Sequence, residues 1–67
     1  MKFIPLTELD TGLPIQINVE QIVEIYDNNH QSGSILVYNN GGTRLVKETV
    51  EEVMTKIYTF VPISSHD

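Results

Sequence analysis

Apolar and polar residues alternate through most of the chain, which is the pattern of β-strands. In the second alternating segment, for example, Ile15 and Ile17 fall on one face and polar residues on the other. Turn signals separate the segments, most clearly Asp10-Thr11-Gly12 and Asn39-Asn40-Gly41-Gly42. The pattern predicts five short strands, at residues 2–9, 14–18, 21–26, 34–39 and 43–47.

The pattern changes after residue 48. Thr49 and Glu52 have the spacing of a capping box, in which each side chain bonds the other residue's backbone N–H. Apolar residues then recur at helical spacing from Val50 to Val61, and Pro62 limits the helix. We therefore predict an α+β fold, a small antiparallel β-meander of four to five strands with one C-terminal helix. Residues 1–61 form the single domain, and residues 62–67 a flexible C-terminal tail.

The third and fourth strands are apolar on both faces. By simple alternation, Ile22 and Tyr26 share one face, and Val23 and Ile25 share the other. One helix covers one face of a small sheet, so the second face must meet something else. A homo-oligomer is the favoured explanation; a curled sheet or another protein are alternatives. Val23, Ile25 and Tyr38 are therefore candidate interaction residues.

The segment Asp27–Ser34 is polar and has no periodicity, which indicates a loop. It is either a plain hairpin connection or a recognition surface, because exposed loops often carry binding residues. Its candidate interaction residues are Asp27, Asn28, Asn29, His30 and Gln31.

The composition and charge of the chain disfavour several classes of function. The 67 residues carry 9 acidic and 4 basic side chains, a net charge of −5, which disfavours binding to nucleic acid. There is no cysteine, so disulfides and thiolate metal sites are excluded. Because no apolar stretch approaches the roughly 20 residues that a membrane span needs, we expect no membrane insertion and a cytoplasmic location.

No motif indicates an enzyme. Asp10-Thr11-Gly12 matches the triplet of aspartic proteases, but it is also ordinary turn chemistry. His30 and His66 are too few for a zinc site, and Ser65-His66-Asp67 are neighbours that cannot aim at each other as a triad. Asn40-Gly41-Gly42 lacks the lysine of a phosphate loop. We predict no catalytic residue, cofactor or metal.

The ordered motifs resemble the FlbD/SwrD family of small flagellar accessory proteins. The resemblance covers roughly residues 4–57, and segment 46–53 is its closest part. The matching positions are Leu6-Thr7-Glu8-Leu9, Gly12, Ile17-Asn18, Ile22, Ile25, Ile35, Asn40-Gly41 and Val46-Lys47-Glu48-Thr49-Val50-Glu51-Glu52-Val53.

The resemblance implies a non-enzymatic accessory of the flagellum, associated with motor output and swarming, whose partner is a flagellar motor or basal-body protein. The residues themselves indicate a small cytoplasmic protein-interaction module. The alternative hypothesis is a small regulatory protein of a phage or mobile element, associated with nucleic acid through Arg44, Lys47 and the loop.

Overall fold

The computed structural model describes residues 2–60, in which five strands precede one helix. This confirms the predicted α+β class. The elements are β1 (Phe3–Thr7), β2 (Pro14–Asn18), a 3-10 turn (Val19–Gln21), β3 (Ile22–Asp27), β4 (Ser34–Tyr38), β5 (Thr43–Val46) and α1 (Val50–Phe60). Residues 62–67, predicted as a tail, lie outside the described residues.

The strands divide into two antiparallel sheets rather than one continuous meander. β1 pairs with β2, and β3, β4 and β5 form the second sheet in that order. The sheets meet at one bridge between Glu8 and Val46. Two further backbone bonds reinforce it, from Leu9 N–H to the Leu45 carbonyl (3.0 Å) and from Lys47 N–H to the Thr7 carbonyl (2.9 Å). The hairpin therefore folds back on β5, which curls the chain around one core.

Pro5 lies within β1 without breaking its ladder. The Thr7 N–H bonds a side chain outside the hairpin, the Glu48 carboxylate, at 2.9 Å. Alternate residues of a strand turn their N–H groups to the same side. The missing N–H of Pro5 is therefore on the side away from β2, where it costs no ladder bond.

The capping box forms as the sequence predicts. Thr49 N–H donates to Glu52 Oε1 at 2.9 Å, and Glu52 N–H donates to Thr49 Oγ1 at 3.1 Å. The helix then buries Val53 completely and places Ile57 against the same core. The core is otherwise built from strand residues: Ile4, Leu6, Ile17, Leu36 and Val46.

A β-bulge interrupts β3. Ile22 pairs with Tyr38 and Glu24 with Val37, so two steps along β3 match one step along β4. Val23 is the extra residue. A bulge of this kind shifts the alternation of every later side chain by one position.

Candidate functional site

The predicted recognition loop is held by its own backbone. Asn28 is buried, and its N–H bonds the Gly33 carbonyl at 3.2 Å. Its side-chain Oδ1 accepts from His30 N–H (3.3 Å), and its carbonyl accepts from Gln31 N–H (3.3 Å). Asn28 therefore acts as a structural residue of the turn. The other predicted loop residues, Asp27, Asn29, His30 and Gln31, are exposed.

The end of this loop is docked against β5 and the helix entry. Gly33 has a positive φ of 106°, and its backbone runs so close to Val46 that a Cβ would overlap the Val46 carbonyl oxygen. The buried Ser34 hydroxyl donates to the Glu48 carbonyl at 2.6 Å. The loop is thus fixed at its base, while residues 29–32 face outward.

The bulge separates the apolar candidates, so the predicted faces of β3 are wrong. Ile22 and Ile25 pack on the core, whereas Val23 is 60% exposed and Tyr26 is 47% exposed. Simple alternation had paired Ile22 with Tyr26 and Val23 with Ile25. Tyr38 also packs against the core. Of the three predicted apolar contact residues, only Val23 faces away from the core.

The second apolar face nevertheless exists, with a different membership. Ile35 and Val37 alternate with the buried Leu36, and Leu45 precedes the buried Val46, so their side chains lie opposite the core. Tyr26 pairs with Ile35, which pairs with Leu45, forming one apolar row across three strands. We call Val23, Tyr26, Ile35, Val37 and Leu45 the outer face.

The structure contains a long-range side-chain contact that the sequence does not predict, between Glu48 and Thr7. Glu48 accepts from Thr7 through both carboxylate oxygens, Oε1 from the backbone N–H and Oε2 from the hydroxyl, each at 2.9 Å. These residues are 41 positions apart, and no local motif pairs them. In the structure, Glu48 ties the first strand to the helix entry.

The Asp10-Thr11-Gly12 triplet forms the β1–β2 turn. Gly12 has φ of 73° and its N–H bonds the Glu8 carbonyl at 2.9 Å. The Thr11 hydroxyl donates to Glu8 Oε1 at 2.8 Å and accepts from Leu13 N–H at 3.2 Å. Asp10 itself is exposed. The turn explanation for this triplet is confirmed.

Of the two basic residues in the nucleic-acid hypothesis, Arg44 is paired and Lys47 is exposed. Arg44 Nη1 lies 2.8 Å from Glu8 Oε2, and both side chains are partly buried. An arginine whose charge is neutralised within the fold offers little to a phosphate backbone.

Within residues 2–60, no helix is long and apolar enough to cross a membrane. No group of three or more His, Asp or Glu side chains there could hold a metal ion. His66 and the rest of the Ser65-His66-Asp67 triplet lie outside the described residues.

A groove of about 520 Å³ lies beside β3. Apolar side chains from the strand and the helix form its floor: Ile22, Ile25, Met54 and Ile57. Val23 and Glu24 also line it, although Val23 belongs to the outer face. A groove that touches residues from both faces of one strand opens at that strand's edge.

Comparisons with protein-family models, with curated proteins and with solved structures gave no significant match.

Proposed function

We propose that this protein is a small non-enzymatic interaction module that self-associates through its outer face. The observation that carries the proposal is the apolar row Tyr26–Ile35–Leu45, with Val23 beside it, on the side of the sheet away from the core. Contiguous apolar surface on a small domain is a mark of interaction sites.

The charge distribution favours a second copy as the occupant. The central row of the outer face, Tyr26–Ile35–Leu45, has no charged side chain, although the chain carries −5 overall, and Glu24 lies beside this row, opposite Val37. Two copies can therefore approach through this face without opposing carboxylates at its centre, while other faces repel. Burial of the aromatic ring and branched aliphatic side chains supplies the attraction.

The size of the face predicts weak association. Three strands of about five residues cover roughly 14 by 17 Å, or about 240 Å² in projection, at the usual strand spacings. Stable complexes bury about 800 Å² per partner. We therefore expect a dimer that dissociates on dilution.

The association is tested by sedimentation equilibrium over a range of protein concentrations. Tyr26→Lys places a charge in the apolar row and should leave only monomer. Tyr58→Lys is the matched control, because Tyr58 is 61% exposed on the helix and lies outside the outer face. A wild-type chain that is monomeric at millimolar concentration, or equal association of both variants, contradicts the proposal.

The biological setting is part of the proposal and rests on the resemblance to the FlbD/SwrD family. An accessory of the flagellar motor needs binding surfaces rather than a reaction centre, and an apolar sheet face supports that role. Affinity capture from the native host under nuclease treatment is the test. Recovery of motor or basal-body proteins with wild type but not Tyr26→Lys supports it; recovery only of proteins unrelated to motility contradicts it.

A further inference from the structure

The outer edge of β3 is open. β3 is bonded to β4 on one side, and no strand borders its other side within residues 2–60. Asn28 N–H bonds the Gly33 carbonyl across the β3–β4 hairpin. Because bonding direction alternates along an antiparallel strand, Ile25 and Asp27 turn their backbone groups away from β4. These groups can receive an added strand.

The groove beside α1 lies where the side chains of such a strand would fall. A residue paired with Ile25 places its side chain on the same face as Ile25. That face leads into the groove floor, where Met54 and Ile57 of the helix stand opposite the strand. An edge strand next to an apolar groove is the arrangement by which a sheet accepts an extended peptide.

Acidic side chains flank this edge. Glu24 and Asp27 are exposed, and neither carboxylate has an ion-pair partner among residues 2–60. Charges on an edge strand discourage pairing between identical copies. The same charges attract a strand that carries basic residues at the facing positions.

We propose that the β3 edge binds an extended segment of a partner protein, which adds as an antiparallel strand with a basic–apolar–apolar–basic sequence. The basic residues face Asp27 and Glu24, and the two apolar residues face Tyr26 and Ile25. The residue facing Ile25 enters the groove. This site is separate from the self-association proposed above, although Val23 and Tyr26 border both surfaces.

A second copy is a poorer occupant of this edge. If β3 pairs with its own copy around Ile25, Asp27 faces Val23 and Glu24 faces Tyr26. Each carboxylate then approaches an apolar side chain without a compensating cation. Such pairing brings four carboxylates to one edge, which costs free energy.

The probe is the capped peptide Thr-Lys-Val-Val-Lys-Thr, titrated into isotopically labelled full-length protein. Two-dimensional amide NMR spectra should shift at Ile25, Asp27 and Ile57, and amide exchange should slow at Ile25 and Asp27. The peptide Thr-Glu-Val-Val-Glu-Thr is the charge control and should bind weaker by on the order of tenfold. Replacing the second Val with Pro removes a backbone donor and should abolish the exchange protection.

The double variant Glu24→Lys/Asp27→Lys reverses the charges at two exposed positions and should prefer the glutamate peptide. Three results would overturn the proposal. The first is that the amide signals of the edge residues do not shift with millimolar lysine peptide. The second is that the double variant still prefers the lysine peptide over the glutamate peptide. The third is that amide exchange at Ile25 and Asp27 slows as the protein concentration rises, before any peptide is added. The last result would assign the edge to a second copy. Leu45 lies in the apolar row of the outer face but on β5, the strand farthest from this edge. Sedimentation of Leu45→Lys therefore reports on the outer face alone, and the two proposals fail separately.

Discussion

The docking of the loop depends on Gly33, and a pair of glycine substitutions measures how much. Gly33→Ala forces a side chain into a positive φ of 106° and against the β5 backbone, with its Cβ overlapping the Val46 carbonyl oxygen and 3.1 Å from the carbonyl carbon. Gly41→Ala meets a similar φ of 89°, but nothing lies within 4 Å of its Cβ. The difference between the two variants isolates the steric contact.

The expected magnitudes follow from these geometries. The unfavourable φ costs roughly 1–2 kcal/mol at each site, partly offset by about 0.4–1 kcal/mol from the less flexible unfolded chain. Overlap with a packed backbone adds about 1–3 kcal/mol at Gly33 alone. A chain of 67 residues has roughly 3–10 kcal/mol of stability in total. Gly33→Ala should therefore remove a large part of it.

Urea denaturation followed by circular dichroism gives both free energies of unfolding. We expect Gly41→Ala to remain folded, with a loss of about 1 kcal/mol. Gly33→Ala should lose at least twice as much or be unfolded without urea. Equal losses in the two variants would refute the close approach of the loop to β5, and with it the fixed base of the 27–34 loop.

Two further substitutions test the core and the long-range carboxylate contact. Val53→Asp should unfold the chain, because an unpaired charge at a fully buried position costs several kcal/mol. Tyr58→Asp, the control at an exposed helix position, should change stability by less than about 1 kcal/mol. Equal melting temperatures of the two variants would contradict the orientation of the helix. Glu48→Ala should destabilise the protein by about 2–3 kcal/mol, because it removes both hydrogen bonds to Thr7. Thr7→Val removes only the bond from the hydroxyl and should cost less stability. Chemical denaturation measures both free energies of unfolding, and a Glu48→Ala variant as stable as wild type would contradict the contact.

The sequence predicts the local parts of this fold well. The capping box of Thr49 and Glu52, the Gly12 turn and the Asn40-Gly41 hairpin depend on residues at most a few positions apart, and each forms as expected. Element type follows from periodicity: the alternating segments form strands, and the segment with helical spacing forms α1. These features need no knowledge of tertiary contacts.

The long-range contacts of the fold cannot be predicted from local sequence patterns. The Glu48 carboxylate reaches Thr7 because the curled sheet brings the two together, and either residue alone has an ordinary local explanation. The break between the two sheets depends on how the hairpin docks at Glu8 and Val46. A surplus of apolar residues predicted a second apolar face, but only the fold decides which side chains form it.

The bulge at Val23 is the single feature that changes the predicted interaction surface, and its removal is a direct test. Deleting Val23 leaves Ile22 followed by Glu24, which restores one-to-one pairing with β4. Ile22 and Ile25 then alternate regularly toward the core. The deletion should therefore fold, with a loss of no more than about 1 kcal/mol, because only an exposed side chain is removed.

Deleting Tyr26 is the matched control, since Tyr26 is also exposed on β3. It keeps the bulge but moves the following residues by one, so Asp27 takes an outward position and Asn28 leaves the site where it closes the loop. We expect this variant to lose far more stability than the Val23 deletion. If the two deletions cost the same, the bulge does not set the faces of β3. The separation of Val23 and Tyr26 from Ile22 and Ile25, on which both proposed surfaces depend, would then be wrong.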